Sequence, residues 1–398
     1  MIADIQDFYS AMFSTVAPRR LSVTDQLERK PSAHHAHALI EVLEALESIP
    51  TTEEGNALLA VDSDTKMSLD LTYEITELQK DILYLTKGEN ALLEYLTEIH
   101  AGFSEQVNRC IEYLTEHGVH SFVSDRDGTV NNYCGRYLTS VQSVYNAVFL
   151  TRFARMQSPR AVILTSAPLQ SPGLVDINVM PEGAAVLAGS KGREYLNTVG
   201  TRGAFPIARA QEEKLEELNT VLEHILERPD HRTFTLIGSG LQKKFGQTTV
   251  SRQDINKSIP AHKSDGFLQI IRDTVRRIDP NGEFFRIEDT GLDIEIMLTV
   301  RSESDSGSLR DFDKGDGVRF LERELSLDMT RGPNLICGDT PSDVPMVRAS
   351  MEMTDNTAAI FVTRKRDLRE QVQSICAGSV FVEDPDALVV ALDRFSRT

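Results

Sequence analysis

At 398 residues the chain is long enough for two or three domains, and its 40% hydrophobic and 26% charged content is that of an ordinary soluble globular protein. A formal net charge of −18 argues against nucleic acid or an anionic membrane as a partner, because both require clustered Lys and Arg, and an anionic substrate would need a locally positive site. No apolar run reaches the roughly 18 residues of a membrane span, the start MIADIQDFYSAMF has no signal-peptide pattern, and Cys110, Cys134, Cys337 and Cys376 lack metal-binding spacing, so reduced thiols in an intracellular, cytoplasmic protein are expected.

Residues 1 to about 118 read as helical. HHAHALIEVLEALESI (34–49) carries apolar residues at helical spacing, Leu71, Ile75, Leu78, Ile82 and Leu85 form one stripe, and Leu92, Leu96, Ile99, Phe103, Val107, Ile111 and Leu114 form another. Lys87-Gly88-Glu89 is the expected break between them. The spacing suits a coiled-coil seam or a small bundle. Two readings stay open: a helical hairpin packing on itself, or an arm for a homodimer or protein partner. His34, His35 and His37 are expected near a loop, solvated rather than ligating a metal.

From residue 119 short β-rich runs alternate with helical stretches: HSFVSD, a helix through SVQSVYNAVFLTRFARM, then RAVILTS. The same texture returns in GVRFLEREL, NLICGD, DVPMVRASM, AAIFVT and ALVVALDRF, which predicts an α/β fold with a parallel sheet and crossover helices. The middle, about 204 to 300, looks inserted. It holds a charged helix (AQEEKLEELNTVLEHIL), strands at RTFTLIGSG and QTTVSR, a helix (HKSDGFLQIIRDTVRRI) and a β pair (EFFRIED and LDIEIMLTV). SESDSGSLRD (302–311) is a polar joint where the chain returns, so the expected units are 1–118, 119–203 with 301–398, and 204–300.

In open parallel sheets, ligands bind beyond the carboxyl ends of the strands. VSDRDGT ends on Asp125 and Asp127, AVILTSA on Thr165 and Ser166, and NLICGDTPSD on Asp339 with Asp343 in the next turn, while Lys314 opens the helix at FDKGDGV. Unit charges about 4 Å apart repel by about 4 kcal/mol at an effective dielectric of 20, so clustered carboxylates need a cation. Oxygen-only ligands select a hard ion, Mg²⁺ best, with Asp125, Asp127, Asp339 and Asp343 as the metal-site residues. Asp125 is then placed to attack phosphorus and form an aspartyl-phosphate. Asp127 would protonate the leaving oxygen and later deprotonate water. Thr165 would donate to phosphoryl oxygens, Lys314 would neutralise charge, and Gly128 would let the chain turn.

The motifs DRDGT, LTS, DKGDG and GDTPSD, in this order, resemble the haloacid dehalogenase superfamily of phosphatases. The resemblance implies a Rossmann-like parallel-sheet core with an inserted α/β cap of the C2 type, plus the helical N-terminal domain. Strand-end turn residues in a non-catalytic α/β protein remain the alternative. DRDGTVNNYCGRY, PGLVD, GREY, GSGLQKK and ICGDTPSDVPMVR further resemble trehalose-6-phosphate phosphatases of the nematode type over about 119 to 395. That likeness implies a sugar phosphate as substrate, with a cap glutamate, here Glu295, and polar cap residues on the sugar hydroxyls. Gln242, Lys243, Lys244, Arg193 and Glu194 are the matching candidates, Ser166 is a further one beside the phosphate, and Asn256, Lys257 and His262 match only loosely. Arg126 stands where that pattern has tryptophan, and the chain holds no Trp, which places the departure where the sugar would be read. A phosphatase for another sugar phosphate, such as glucosylglycerol or sucrose phosphate, and a non-catalytic scaffold are the other functions open.

Overall fold

The computed structural model of the protein describes residues 2–61, 66–157, 160–170, 172–255, 257–301 and 309–398. Asn256 and most of the expected polar joint lie outside the described residues. The chain opens with α1 (Ile5–Ser14), whose first amides are capped by Asp4, which accepts from Gln6 and Asp7 at 2.9 and 2.8 Å. α2 (Val16–Leu27) and α3 (Ala36–Glu47) follow, then an antiparallel hairpin of β1 (Ala57–Ala60) and β2 (Lys66–Leu69). This hairpin corrects the all-helical reading of the segment: an apolar run as short as ALLA shows no period that separates strand from helix.

α4 (Thr72–Lys87), α5 (Glu89–Ile99) and α6 (Phe103–His117) complete the segment. The second apolar stripe is therefore shared by two helices that part at Ala101-Gly102. Within the segment α4 packs on α3 and α5, as a small bundle does, and the stripes also meet the core. α2 and α4 pack on a core helix, α7 (Val144–Gln157), and α6 packs on the C-terminal helix, Pro385–Phe395. Leu78, Leu85, Leu92, Leu96, Val107 and Leu114 share one buried apolar cluster with Phe149, Phe153, Leu388 and Leu392.

The core begins with β3 (Ser121–Asp125) and, after α7, continues through β4 (Ala161–Leu164), α8 (Leu174–Ile177), β5 (Val186–Gly189), β6 (Glu194–Leu196) and β7 (Arg202–Ala204). Next come α9 (Arg209–Leu226), β8 (Leu241–Lys244), β9 (Gln247–Ser251), α10 (Ala261–Ile278), β10 (Phe285–Asp289) and β11 (Asp293–Leu298). The short β12 (Val300–Arg301) and β13 (Leu309–Arg310) pair as the chain returns. α11 (Lys314–Leu325), β14 (Asn334–Gly338), α12 (Val344–Met353), β15 (Thr357–Val362), α13 (Arg366–Gln373), β16 (Val380–Val382) and α14 (Pro385–Phe395) finish the core.

The main sheet runs β16-β15-β14-β3-β4-β5-β6-β7, parallel from β16 to β5, with β6 and β7 as an antiparallel extension. Its central strands are buried throughout, as a sheet covered on both faces requires. Phe122, Ile163, Leu335 and Ile360 face α7 and α14, while Val123, Val162, Ile336 and Ala359 face α11 and α12. The second sheet, β10-β11-β9-β8, is antiparallel. Val250, Ile294, Ile296 and Leu298 fill its α9/α10 side, which leaves Glu295, Thr249 and Gln247 on the other. RTFTLIGSG is not a strand: a 3₁₀ turn spans Arg232–Thr235, Phe234 stacks on Phe267 at 3.9 Å, and positive φ at Gly238 and Gly240 delays the strand to Leu241. No helix among the described residues is long and apolar enough to cross a membrane.

The helical segment is tied to the core by buried charge. Lys80 of α4, 1% exposed, lies 2.6 Å from Glu77 and 3.1 Å from Asp386 of α14, and Asp386 also meets His100 at 2.9 Å. Removing one partner of such a pair leaves a buried charge uncompensated, at a cost of about 3–5 kcal/mol. Lys80→Ala is therefore expected to lower the unfolding free energy by about that amount, read as a falling urea midpoint at unchanged slope. A loss under about 1 kcal/mol would place the pair in the range of solvent-screened surface bridges.

Candidate active site

The register of the main sheet sets the site. β3 pairs Asp125 with Leu164, so Thr165 emerges beside it, and β14 pairs Cys337 with Ser124, so Asp339 emerges on the other side. Asp343 follows in a short 3₁₀ turn, Pro341–Asp343. Asp125, Asp339 and Asp343 each offer an oxygen within 4.8 Å of the others'. Thr129 Oγ1 stands between two of them, 3.2 Å from Asp125 and 3.3 Å from Asp339. Sequence reasoning gave Thr129 no role, although the DGT motif signalled it.

Lys314 comes to these acids from α11. Its Nζ, 3% exposed, donates to Asp125 and to Asp343, both at 2.5 Å. The helix starts there because Asp313 caps it, in a reciprocal capping box with Asp316. Asp343 also accepts the amides of Asp339 and Thr340 at 3.0 and 2.9 Å. Gly128 sits at φ +89, and a Cβ there would fall 2.2 Å from Asp339 Oδ2, so the DRDGT turn is shaped around that carboxylate.

The electrostatics show an excess of negative charge. Burial, with repulsion from Asp343, pushes Asp125 up to about 7 even though Lys314 opposes it. Burial and the Asp125 and Asp343 charges push Asp339 up to about 9. Asp343 goes the other way: burial is outweighed by Lys314 and the two amides, which hold it below the usual carboxylate range. One buried lysine cannot neutralise three carboxylates, two buried and one half-buried. An all-oxygen donor set with this unmet charge fits a hard divalent cation.

The Asp127 side chain stands apart from that acidic group. Its Oδ1 accepts from Arg126 at 2.5 Å and from Ser140 at 2.7 Å. Asp127, expected among the metal-site residues, is not gathered with Asp125, Asp339 and Asp343, and its Oδ1 is engaged by Arg126 and Ser140. Arg126 is 3% exposed and fixed to Ser140 as well, so the Arg-for-Trp departure lies beneath Asp127 rather than on a sugar-reading surface. Thr165, 4% exposed, accepts the Ala167 amide at 3.2 Å, and Ser166 next to it is half-buried.

The polar face of the second sheet turns to the core. Glu295 accepts from Gln247 at 2.9 Å and from Lys191, at the end of β5, at 3.2 Å. Gln242 and Lys244 are buried on that same face, by register with Thr249 and Gln247. Lys191 and Lys244 outweigh burial and keep Glu295 below the ordinary range. Lys243 is corrected: one residue out of phase, it projects to the opposite face and pairs with Glu223 of α9. Arg193 is corrected too, since it is spent on the carbonyls of Gly246 and Leu298, both at 2.9 Å, at the strand ends of the second sheet. Glu194 accepts from the Leu169 amide at 3.0 Å and the Ser190 hydroxyl at 2.6 Å, which holds the Lys191 turn. Lys257 and His262 are exposed and outside this cluster. Lys191 and Gln247 were missed in the sequence; the GSKGREY run beside the motif strand was the available signal.

The family model for the C-terminal region of trehalose-6-phosphate phosphatase matches residues 122–388, and that for its N-terminal helical bundle domain matches residues 4–103. A UDP-forming alpha,alpha-trehalose-phosphate synthase 2 of Aphelenchoides avenae is 32% identical over 98% of this chain, but the match takes in 31% of that protein, so the chain spans about a third of its length. A trehalose-phosphatase of Caenorhabditis elegans is 28% identical over 96% of this chain and 93% of its own, and one of Brugia malayi is 33% identical over 69% and 56%. Among solved structures, the C-terminal domain of the Candida albicans trehalose-6-phosphate phosphatase covers 73% of this chain and 96% of its own, at 11% identity and a TM-score of 0.47. With family matches across both its helical segment and its α/β core, this chain belongs to the trehalose-6-phosphate phosphatase family.

Proposed function

We propose that the chain is a Mg²⁺-dependent phosphatase that converts trehalose 6-phosphate and water to trehalose and phosphate through an aspartyl-phosphate. The observation that supports this most directly is Asp125, buried at a strand end, bonded to Lys314 and grouped with Asp339 and Asp343. In this reading an Asp125 oxygen bonds to phosphorus as the bond from phosphorus to the sugar oxygen breaks. Asp127 gives its proton to that oxygen, then takes one from the water that displaces Asp125 from phosphorus. Lys314 keeps Asp125 and Asp343 partly neutralised, and the Thr165 hydroxyl orients a phosphoryl oxygen. A divalent cation held by Asp125, Asp339 and Asp343 supplies charge neutralisation for the phosphoryl group.

Sugar recognition is assigned to the polar face of the second sheet. Glu295, Gln242, Lys244 and Gln247 present charged and amide hydrogen-bonding groups, which suits a polyhydroxylated substrate. The face is linked to the core through Lys191, so closing over a substrate would also exclude water from the phosphoryl group.

Asp125→Asn is expected to abolish phosphate release, and full turnover by that variant would remove the covalent step. EDTA should abolish activity and Mg²⁺ restore it; retention of activity after chelation would overturn the cation's role. Glu295→Gln should lower kcat/KM for trehalose 6-phosphate by about ten- to a hundredfold, as expected for losing a charged hydrogen bond, with a smaller loss on p-nitrophenyl phosphate, which has no sugar. A release assay over trehalose, sucrose and glucosylglycerol phosphates tests the substrate: selective turnover of one of the latter two would reassign it.

A further inference from the structure

The loop that joins β3 to α7 has little regular structure, a single 3₁₀ turn at Tyr137–Thr139, yet it carries Ser140, which bonds Asp127. Its position is set from outside, by one face of α4. The buried Glu74 carboxylate accepts from Arg136 Nη2 at 2.9 and 2.8 Å and from Thr139 Oγ1 at 2.5 Å. One turn along, Glu77 accepts from Asn132 at 3.0 Å, and one turn further Asp81 accepts the Val144 amide at 2.6 Å. Tyr73 accepts from Asn131 at 3.2 Å, and the same Asn131 amide group lies 3.3 Å from Ser140 Oγ. Residues 74, 77 and 81 fall on one helical face, so the grip is a property of that face rather than of scattered contacts.

The chain of contacts ends on the carboxylate. Ser140 Oγ and Arg126 Nη1 both donate to Asp127 Oδ1, and Arg126 is in turn held by the Ser140 carbonyl at 2.6 Å. No donor among the described residues reaches Asp127 Oδ2, which leaves that oxygen for a reacting group. We propose that α4 is a positioning element for proton transfer: through Glu74 and Tyr73 it fixes the 131–143 loop, and through Ser140 and Arg126 the loop sets the direction in which Asp127 Oδ2 points. This rests on the phosphatase reading above, and it gives the helical segment a part in the reaction rather than only in folding.

Leaving-group dependence tests it. An alkyl phosphate needs its departing oxygen protonated, whereas p-nitrophenolate departs without a proton, and kcat/KM covers binding and the transfer to Asp125 but not the later hydrolysis. Ser140→Ala in the full chain should lower kcat/KM for trehalose 6-phosphate at least about tenfold more than for p-nitrophenyl phosphate, as expected for impaired general-acid assistance. Glu74→Gln, which is remote from the reacting atoms, should move the ratio in the same direction, with thermal unfolding of both variants followed alongside. Equal loss on the two substrates, in whichever variant folds, would mean that the loop is merely structural and would overturn the proposal. Wild-type protein that turns over neither substrate with Mg²⁺ would instead sink the phosphatase reading itself.

Discussion

The contact on which the site depends is the Lys314 ammonium held between Asp125 and Asp343. It offsets part of the charge of the carboxylates gathered at one sheet edge, and it reaches Asp125 and Asp343 because the N-terminus of α11 approaches closely. Two glycines make that approach possible. A Cβ on Gly317 would lie 2.1 Å from the Lys191 carbonyl, and one on Gly192 would lie 2.7 Å from the Gly317 Cα. The DKGDG motif thus packs α11 against the turn after β5, and the same turn presents Lys191 to Glu295. The acidic cluster and the polar face of the second sheet, proposed for phosphoryl transfer and sugar recognition, thus meet at one backbone contact. Any shift of α11 would disturb both.

The junction between the sheets follows from this arrangement. Arg193 lies on the Phe312 ring, 4.6 Å from its centroid, and donates to two carbonyls at the strand ends of the second sheet. A planar guanidinium with fixed donors suits this work better than a flexible ammonium. The Phe245 amide donates to the Ser190 hydroxyl at 3.0 Å and adds a second tether. These bonds place Glu295 above the core while leaving its carboxylate to Lys191 and Gln247, so the residues at the seam divide between holding the sheet and forming the face proposed for the sugar.

What was legible in the sequence follows from how local each signal is. The strand-end acids, Thr165 and Lys314 sit in short motifs whose turns are fixed by neighbouring residues, and the parallel sheet then brings them to one edge. That Glu295 leaves the apolar side of its sheet was legible because it alternates with Ile294 and Ile296. Lys243 was not, since alternation says that neighbours part faces but not which face looks to the core until the register is known. The helical stripes of α4 to α6 were visible, but their partner was not: apolar spacing states that a face is buried, not against what. The grip of Glu74 on Arg136 and Thr139 joins residues more than sixty positions apart, and nothing in either local stretch announces it.

That grip also explains why the seam between the helical segment and the core is built from buried charge. Glu74, Lys80 and Asp81 are 0–1% exposed, and each is satisfied by specific directional partners. Burying such ions gains little stability over well-packed apolar side chains, but a displaced partner leaves a charge stranded. A seam of this kind therefore fixes register more than it adds stability. Register is what the loop after β3 requires, because it carries Ser140 and has almost no secondary structure of its own to hold it in place. Since the Arg126 guanidinium also leans on Ser140, the proposed positioning of the Asp127 carboxylate beside Asp125 traces back to a helix that lies outside the main sheet.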